Sequence, residues 1–214
     1  MPDLRVIILN YKRQDNVIRI VQLLQNYYPI TVINNNPIKP FPQLGQPVEV
    51  INNDKNYMCM ERWIRCSEYD EEFKLILDDD VLPSLNLIEK MKSFDKPIVG
   101  VYGKTNVKTS TKYQDLRDYW CIDAKVDFLV GSVVMVKQSC LNVIYDSLKK
   151  IGYPKRGDDI IVSYLIKKAF NLDYLETVSG EVLMLPEGNV GLNKDPSHFS
   201  MRWKVIQKFK NSSW

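Results

Sequence analysis

Apolar runs of strand length alternate along this chain with stretches in which apolar residues recur every three or four positions, the pattern of an α/β domain. Leu4 to Leu9 is the first apolar run, and the polar Asn10-Tyr11-Lys12-Arg13 closes it. Val17, Ile20, Val21 and Leu24 then fall at i, i+3, i+4 and i+7, one stripe of a helix that runs to about Tyr28 and is closed by Pro29. Ile30 to Ile33 predicts a second strand, ending in Asn34, Asn35, Asn36 and Pro37, a turn cluster because Asn tolerates left-handed backbone. A proline-rich loop, Pro37 to Pro47, leads to a third strand over Val48 to Ile51, after which Asn56 is placed to cap a helix bearing Tyr57, Met60 and Ile64. Phe73, Leu75, Ile76 and Leu77 form a buried strand that stops at Asp78, Asp79 and Asp80. The order β, α, β, β, α, β predicts an open mixed, mostly parallel sheet flanked by helices, with ligands collecting at the carboxyl ends of its strands.

The second half is less regular. Leu85 to Phe94 predicts a short helix, and Pro97 to Thr105 a strand whose small residues let a ligand approach, with Lys104 at its end. Thr105 to Ala124 has no clear period and is expected to be an excursion carrying Tyr113, Tyr119 and Trp120. Asp127 to Leu141 predicts a strand with Gly131 and Ser132 in its middle, followed by a helix through Leu148; a mid-strand glycine costs stability unless something needs the space. Gly157 is a break, and Asp158 and Asp159 open a helix continued by Ile160, Ile161, Tyr164, Leu165 and Lys168. Carboxylates at a helix N-terminus are favoured by capping and by the dipole whatever the protein does. The tail carries Gly188, Gly191 and then DPSHFSMRWKVIQKF, with the single histidine, His198. A lone histidine is more often a packed or surface residue than a ligand.

Length and composition narrow this picture. The 214 residues suit one domain; the start and the NSSW ending also allow one domain of a longer polypeptide. Hydrophobic content of 45% and charged content of 26% are ordinary for a globular protein. No apolar run approaches the roughly 20 residues of a spanning helix, and the N-terminus lacks a signal-peptide layout, so no membrane span and a cytoplasmic location are expected. The four cysteines have neither CxxC nor Cys/His metal spacing. A net charge of +3 does not argue for nucleic acid as a partner, and the locally basic Arg202, Lys204, Lys208 and Lys210 are expected to form a solvated helix face. The first glycine is Gly45, so neither GxGxxG nor GxxxxGK can follow the first strand. This sets aside dehydrogenases and P-loop NTPases. It leaves a nucleotide site held by side chains at the strand ends, Asn10, Tyr11, Arg13 and Asn34, together with a metal.

The acidic triplet is the sharpest feature. Like charges a few ångströms apart raise each other's pKa, so three adjacent carboxylates at a strand end persist when something positive sits between them, and a divalent cation is the usual candidate. Oxygen ligands suit Mg²⁺ or Mn²⁺. An acidic turn that merely solvates the strand end is the bland alternative. Asp80 is the first choice of ligand and Asp78 the next, with Asp79 facing ribose or sugar hydroxyls.

Taken together, NYKR after the first strand, LILDDDVLP, PIVGVYGK, DFLVGSVVMV, GDDI and SHFSMR resemble, in order and spacing, the nucleotide-sugar-dependent glycosyltransferases of the GT-A fold, and most closely the exostosin-like transferases. The resemblance covers most of the chain and implies a nucleotide-binding half over about 1–100 and an acceptor and sugar-pocket half over about 101–214. It departs at Gly157-Asp158-Asp159, where many relatives have Glu-Asp, at Lys104, where an arginine is expected, and in the lack of a membrane anchor or stem. It implies a metal-dependent transferase moving a hexose or deoxyhexose from a nucleoside-diphosphate sugar, with UDP as the expected carrier, to a hydroxyl of a glycan acceptor. His198 would complete the metal's shell, Arg202 would add charge near the leaving diphosphate, and Lys104, Gly131 and Ser132 would line the donor pocket. Asp159, with Asp158 beside it, would be the catalytic residue at the anomeric carbon, a general base in an inverting enzyme or an electrostatic stabiliser in a retaining one, which the resemblance favours. Two other classes compete: a Mg²⁺-dependent phosphatase of the haloacid dehalogenase class with Asp78 as nucleophile, and a non-catalytic nucleotide-sugar-binding module.

Overall fold

The computed structural model describes residues 3–186 and 194–211, with Asn211 described in its backbone only. Gly188 and Gly191 lie outside the described residues. The elements run β1 (Leu4–Asn10), α1 (Gln14–Leu24), β2 (Ile30–Asn34), β3 (Val48–Asn52), α2 (Met60–Cys66), β4 (Phe73–Asp78), β5 (Val81–Pro83), α3 (Leu85–Lys92), β6 (Ile98–Gly100) and β7 (Tyr102–Thr105). A 3-10 turn over Tyr113–Asp115 precedes β8 (Arg117–Trp120), β9 (Ala124–Val126), β10 (Phe128–Leu129), β11 (Val133–Lys137), α4 (Gln138–Ile151), α5 (Asp158–Ala169), β12 (Leu175–Thr177), β13 (Val182–Met184) and α6 (His198–Asn211).

One eight-stranded sheet has the order β3-β2-β1-β4-β11-β6-β12-β9. Its first four strands are parallel neighbours, β11 runs against β4 and β6, and β9 runs against β12. The sheet is therefore mixed and mostly parallel, in agreement with the expected class. Alternation along β1 shows how it is held: Leu4, Val6 and Ile8 face a core shared with Val17 and Ile20 of α1 and Leu87 and Ile88 of α3, while Ile7 and Leu9 face a second core with Trp63 of α2, Leu141 of α4 and Ile161 of α5. Successive strand residues point to opposite faces, so a strand covered by helices on both sides must be apolar throughout. A third, smaller cluster joins Tyr113, Phe128, Ile160 and Ile206 beneath α6.

Several expectations need correction. Asn56 does not cap a helix; its side chain accepts from the Met58 N–H, and α2 begins only at Met60, leaving Tyr57 outside. The stretch from Pro97 to Thr105 is two strands, since β6 belongs to the large sheet and β7 to a three-stranded sheet with β8 and β10. The stretch from Asp127 to Leu141 is likewise broken, β10 and β11 lying either side of Gly131-Ser132. Both breaks lie where the chain passes from one sheet to the other, and a continuous apolar run does not mark such a crossing. The excursion after Thr105 supplies β8, which closes on β7. All four cysteines are free thiols, Cys66 and Cys140 buried. Among the described residues no helix is long and apolar enough to cross a membrane.

Candidate active site

A cleft of about 670 Å³ opens where β1 and β4 end, lined by residues from both halves of the chain. At the end of β1, Lys12 adopts φ 82° and turns the chain into α1. That turn aims the Tyr11 N–H at Asp79 Oδ2 (3.0 Å) and brings Arg13 Nη1 to Asp79 Oδ1 (2.5 Å) and Asp80 Oδ2 (3.0 Å). From α2, Arg62 reaches under the opposite wall: its Nη1 donates to Asp78 Oδ1 (2.5 Å) and to the Gly131 carbonyl (2.7 Å), and its Nη2 to Asp158 Oδ2 (3.1 Å). Arg202 of α6 donates from Nη2 to Asp159 Oδ2 at 2.8 Å, and the Gly131 N–H donates to the same oxygen at 3.2 Å. The positive charge that the acidic triplet requires is thus supplied in part by the protein's own guanidinium groups.

Asp158 opens α5 without capping it. The N-cap is Gly157 in a left-handed conformation (φ 81°), and the Asp158 carboxylate instead accepts from Arg62 and from Trp63 Nε1 (2.8 Å). Glycine is suited to that backbone because it lacks a Cβ. Gly131 is required for a different reason: a Cβ there would run into Arg62 Nη2.

Burial pushes the Asp78 carboxyl up to about 7, Arg62 opposing and Asp80 and Asp79 adding to the rise. Burial also raises Asp79, against the Tyr11 N–H and Arg13. Burial would raise Asp159 too, but Arg202 outweighs it and the carboxyl is held below its ordinary value. Burial, with Arg202 and Arg156 nearby, lowers His198 to about 4, so its imidazole is neutral at physiological pH.

Of the residues singled out from sequence, Tyr11, Arg13, Asp78, Asp79, Asp80, Lys104, Gly131, Ser132, Asp158, Asp159, His198 and Arg202 all border this one cleft. Asn10 and Asn34 do not. They are fully buried and form an amide ladder across the strand ends, Asn10 Nδ2 to Asn34 Oδ1 (2.7 Å) and Asn34 Nδ2 to Asn52 Oδ1 (2.8 Å), so they brace the rim while Asn35 lines it. Lys104 is held by Asp118 and lies over the Tyr113 ring at 4.9 Å. The expected metal set of Asp80, Asp78 and His198 does not converge; among the described residues no three His, Cys, Asp or Glu side chains gather as a metal cluster.

Sequence reasoning missed Arg62, 3% exposed, and the rim residues Lys155 and Arg156. The signal for Arg62 was an arginine set among Met60, Trp63 and Ile64 on a buried helix, since a fully buried cation needs anionic partners. Among the described residues, Ser132 Oγ, His198 Nδ1, Arg62 Nε, Arg156 Nε and Arg202 Nε are buried without a hydrogen-bond partner. Five orphaned polar atoms around one cleft give it a lining suited to a polar ligand.

No family model matches the chain, and no curated protein matches it. Among solved structures, the inositol-1-phosphate CTP transferase from T. maritima superposes with a TM-score of 0.50 at 9% identity, covering 97% of this chain and 96% of that one. The bifunctional IspDF from Campylobacter jejuni gives 0.48 at 15% identity over 84% of this chain and 50% of that one, and A197 from STIV 0.41 at 13% over 87% and 95%. The T. maritima match overturns the glycosyltransferase reading: a solved structure that superposes over the full length is described as a CTP transferase, and no family model supports an exostosin-like relation. The glycan acceptor gains no support, and neither the phosphatase nor the binding-module alternative does. The short motifs shared with glycosyltransferases mark a strand end, a turn and a helix start that an open α/β nucleotide fold presents irrespective of the group transferred. At 9% identity the likeness shows the fold alone: a mixed sheet covered by helices on both faces, with the cleft at the carboxyl ends of its parallel strands.

Proposed function

We propose that the chain is a nucleotidyltransferase, moving a nucleoside monophosphate unit from a nucleoside triphosphate to a phosphate oxygen of a small phosphomonoester, with release of pyrophosphate. The observation that carries this reading is the state of Asp159. It is buried and bound by Arg202, the Gly131 N–H and the Ile160 N–H, and its pKa is lowered, so it is not poised as a general base. An acceptor hydroxyl needs a base near its operating pH. A phosphomonoester, with a second pKa near 6, is already an anionic nucleophile at neutral pH and needs none. The likeness of fold to a protein described as a CTP transferase acting on inositol 1-phosphate supports the same class.

In this mechanism the acceptor oxygen attacks the α-phosphorus, the bond to the bridging oxygen of the β-phosphate breaks, and its electron pair leaves on pyrophosphate. Tyr11 and Asn35 hold the nucleoside over the ends of β1 and β2. Arg13, Lys155 and Arg156 draw the triphosphate into the cleft and stabilise the charge that grows on pyrophosphate, an electrostatic task suited to fixed guanidinium and ammonium groups. Ser132 Oγ, neutral His198 and Lys104 are offered to the acceptor phosphate, and Asp159 holds Arg202 and Gly131 in place behind them. The residues fit Mg²⁺ or Mn²⁺: Mg²⁺ commonly takes one or two carboxylates plus substrate phosphates, and Asp78 and Asp80 both border the cleft as oxygen donors beside Arg62 and Arg13. Bound there, the ion would screen phosphate charge and act as a Lewis acid on the phosphoryl oxygens.

Pyrophosphate release is the test, with the four common ribonucleoside triphosphates crossed against inositol 1-phosphate and sugar phosphates. Metal-dependent release requiring both substrates is expected. No release from any pair would sink the reading.

A further inference from the structure

A second cavity, of about 330 Å³, lies apart from the cleft between α5, α6 and β10. Its walls are Val107, Phe128, Ile160, Tyr164, Ile206 and Phe209, and Tyr164 and Phe209 stack face to face with ring centroids 4.3 Å apart and planes at 18°. Lys108, Lys167 and Lys210 stand around this apolar interior. One carboxylate, Asp127, is among the described lining residues, and its Oδ2 is engaged by the Val107 N–H at 2.9 Å. Among the described residues, Lys167 Nζ donates to the Asp127 carbonyl at 3.3 Å and Lys210 Nζ to the Ser110 carbonyl at 3.2 Å. Burial makes Lys167 easier to deprotonate, with Asp127 and Asp173 opposing and Lys108 adding to the fall. An apolar hollow at the lower end of ligand-pocket size, with a few polar groups of one sign at its edge, is the usual form of a small-molecule site.

We propose that this cavity is a second ligand site, which takes a small amphipathic anion: a short acyl chain or single ring lying against the Tyr164–Phe209 wall, with a carboxylate or phosphate held between Lys108 and Lys167. The basic face of α6 then has a function at Lys210 beyond solvation. The site is separate from the cleft, although Ile160 in its wall follows Asp159 on α5 and Ile206 lies one turn from Arg202 on α6.

Titration calorimetry of the whole chain with octanoate, and with octanol as the neutral counterpart, tests this. Saturable 1:1 binding of octanoate is expected, with octanol weaker by about tenfold or more, the size of one charge-assisted contact. Lys108→Met and Lys167→Met should each weaken octanoate several-fold and leave octanol and Tm unchanged; these lysines are partly or fully exposed, so the variants are expected to fold. Lys104→Met, in the main cleft, should have no effect. Absence of saturable octanoate binding overturns the proposal. So does binding that Lys104→Met weakens and Lys167→Met does not, because the anion would then occupy the nucleotide cleft. Equal affinity for octanoate and octanol would overturn the charged half of it.

Discussion

Arg62 carries more of the site than any other single side chain. Within one guanidinium it joins Asp78 of β4, Asp158 of α5 and the Gly131 carbonyl, three segments distant in sequence. Removing one partner of a buried ion pair costs about 3–5 kcal/mol, because the abandoned charges stay buried. Arg62→Met should therefore lower unfolding free energy by that order in denaturant titrations, and Arg62→Lys should recover little, since an ammonium cannot reproduce the forked geometry. A loss below about 1 kcal/mol would show that the grouping is not a structural centre. The Asp159–Arg202 pair makes a pH prediction. Because the folded carboxyl is held below the ordinary aspartate value of 3.8, the unfolded chain takes up the proton first as pH falls. Stability from this group is thus present above about pH 4 and lost below it. Arg202→Met should destabilise the protein at pH 7 and shrink that acid-side loss, as measured by urea titrations from pH 3 to pH 7.

At the scale of elements, the turn between β10 and β11 and the start of α5 are the two places where backbone conformation makes the site. Gly131→Ala should push Arg62 off its carboxylates without touching any ligand atom, so both nucleotide affinity and stability should fall. An unchanged Tm and unchanged nucleotide binding would mean that Arg62 has room to move. Gly157→Ala places a Cβ on a left-handed residue at a cost of roughly 1–2 kcal/mol. Its contact there is the Val205 side chain, so the loss should appear in stability and only weakly in turnover. Asp158→Ala, by contrast, should cost more than the ~1 kcal/mol of a lost cap, since it leaves Arg62 and Trp63 Nε1 without their shared acceptor.

At the scale of the whole molecule, the cleft joins strand ends from the first half to α5 and α6 from the second, so ligand binding should stabilise the domain as one unit. With Mg²⁺ and a nucleoside triphosphate at about 100 times its Kd, linkage gives about 2.7 kcal/mol, visible as a rise in Tm that EDTA reduces. A nucleotide that binds without raising Tm would place it outside the cleft. The sequence by itself determined the apolar strands, the helix stripes and the acidic end of β4, because periodicity and burial of a two-sided sheet are local properties of the chain. It also placed Tyr11, Arg13 and the triplet on one rim, since strand ends in an open sheet share an edge, whereas Asp159 and Arg202, on helices, were joined to them only through the family resemblance. Only the tertiary structure decided what neutralises those carboxylates. Arg62 lies 96 residues from Asp158 along the chain, and no spacing rule joins them. The same holds for the sheet crossings at Val101 and at Gly131-Ser132, and for Asn10 and Asn34, whose amides turn inward to each other rather than to a ligand. Hydrogen bonds between distant segments are set by packing, and packing is a property of the folded whole.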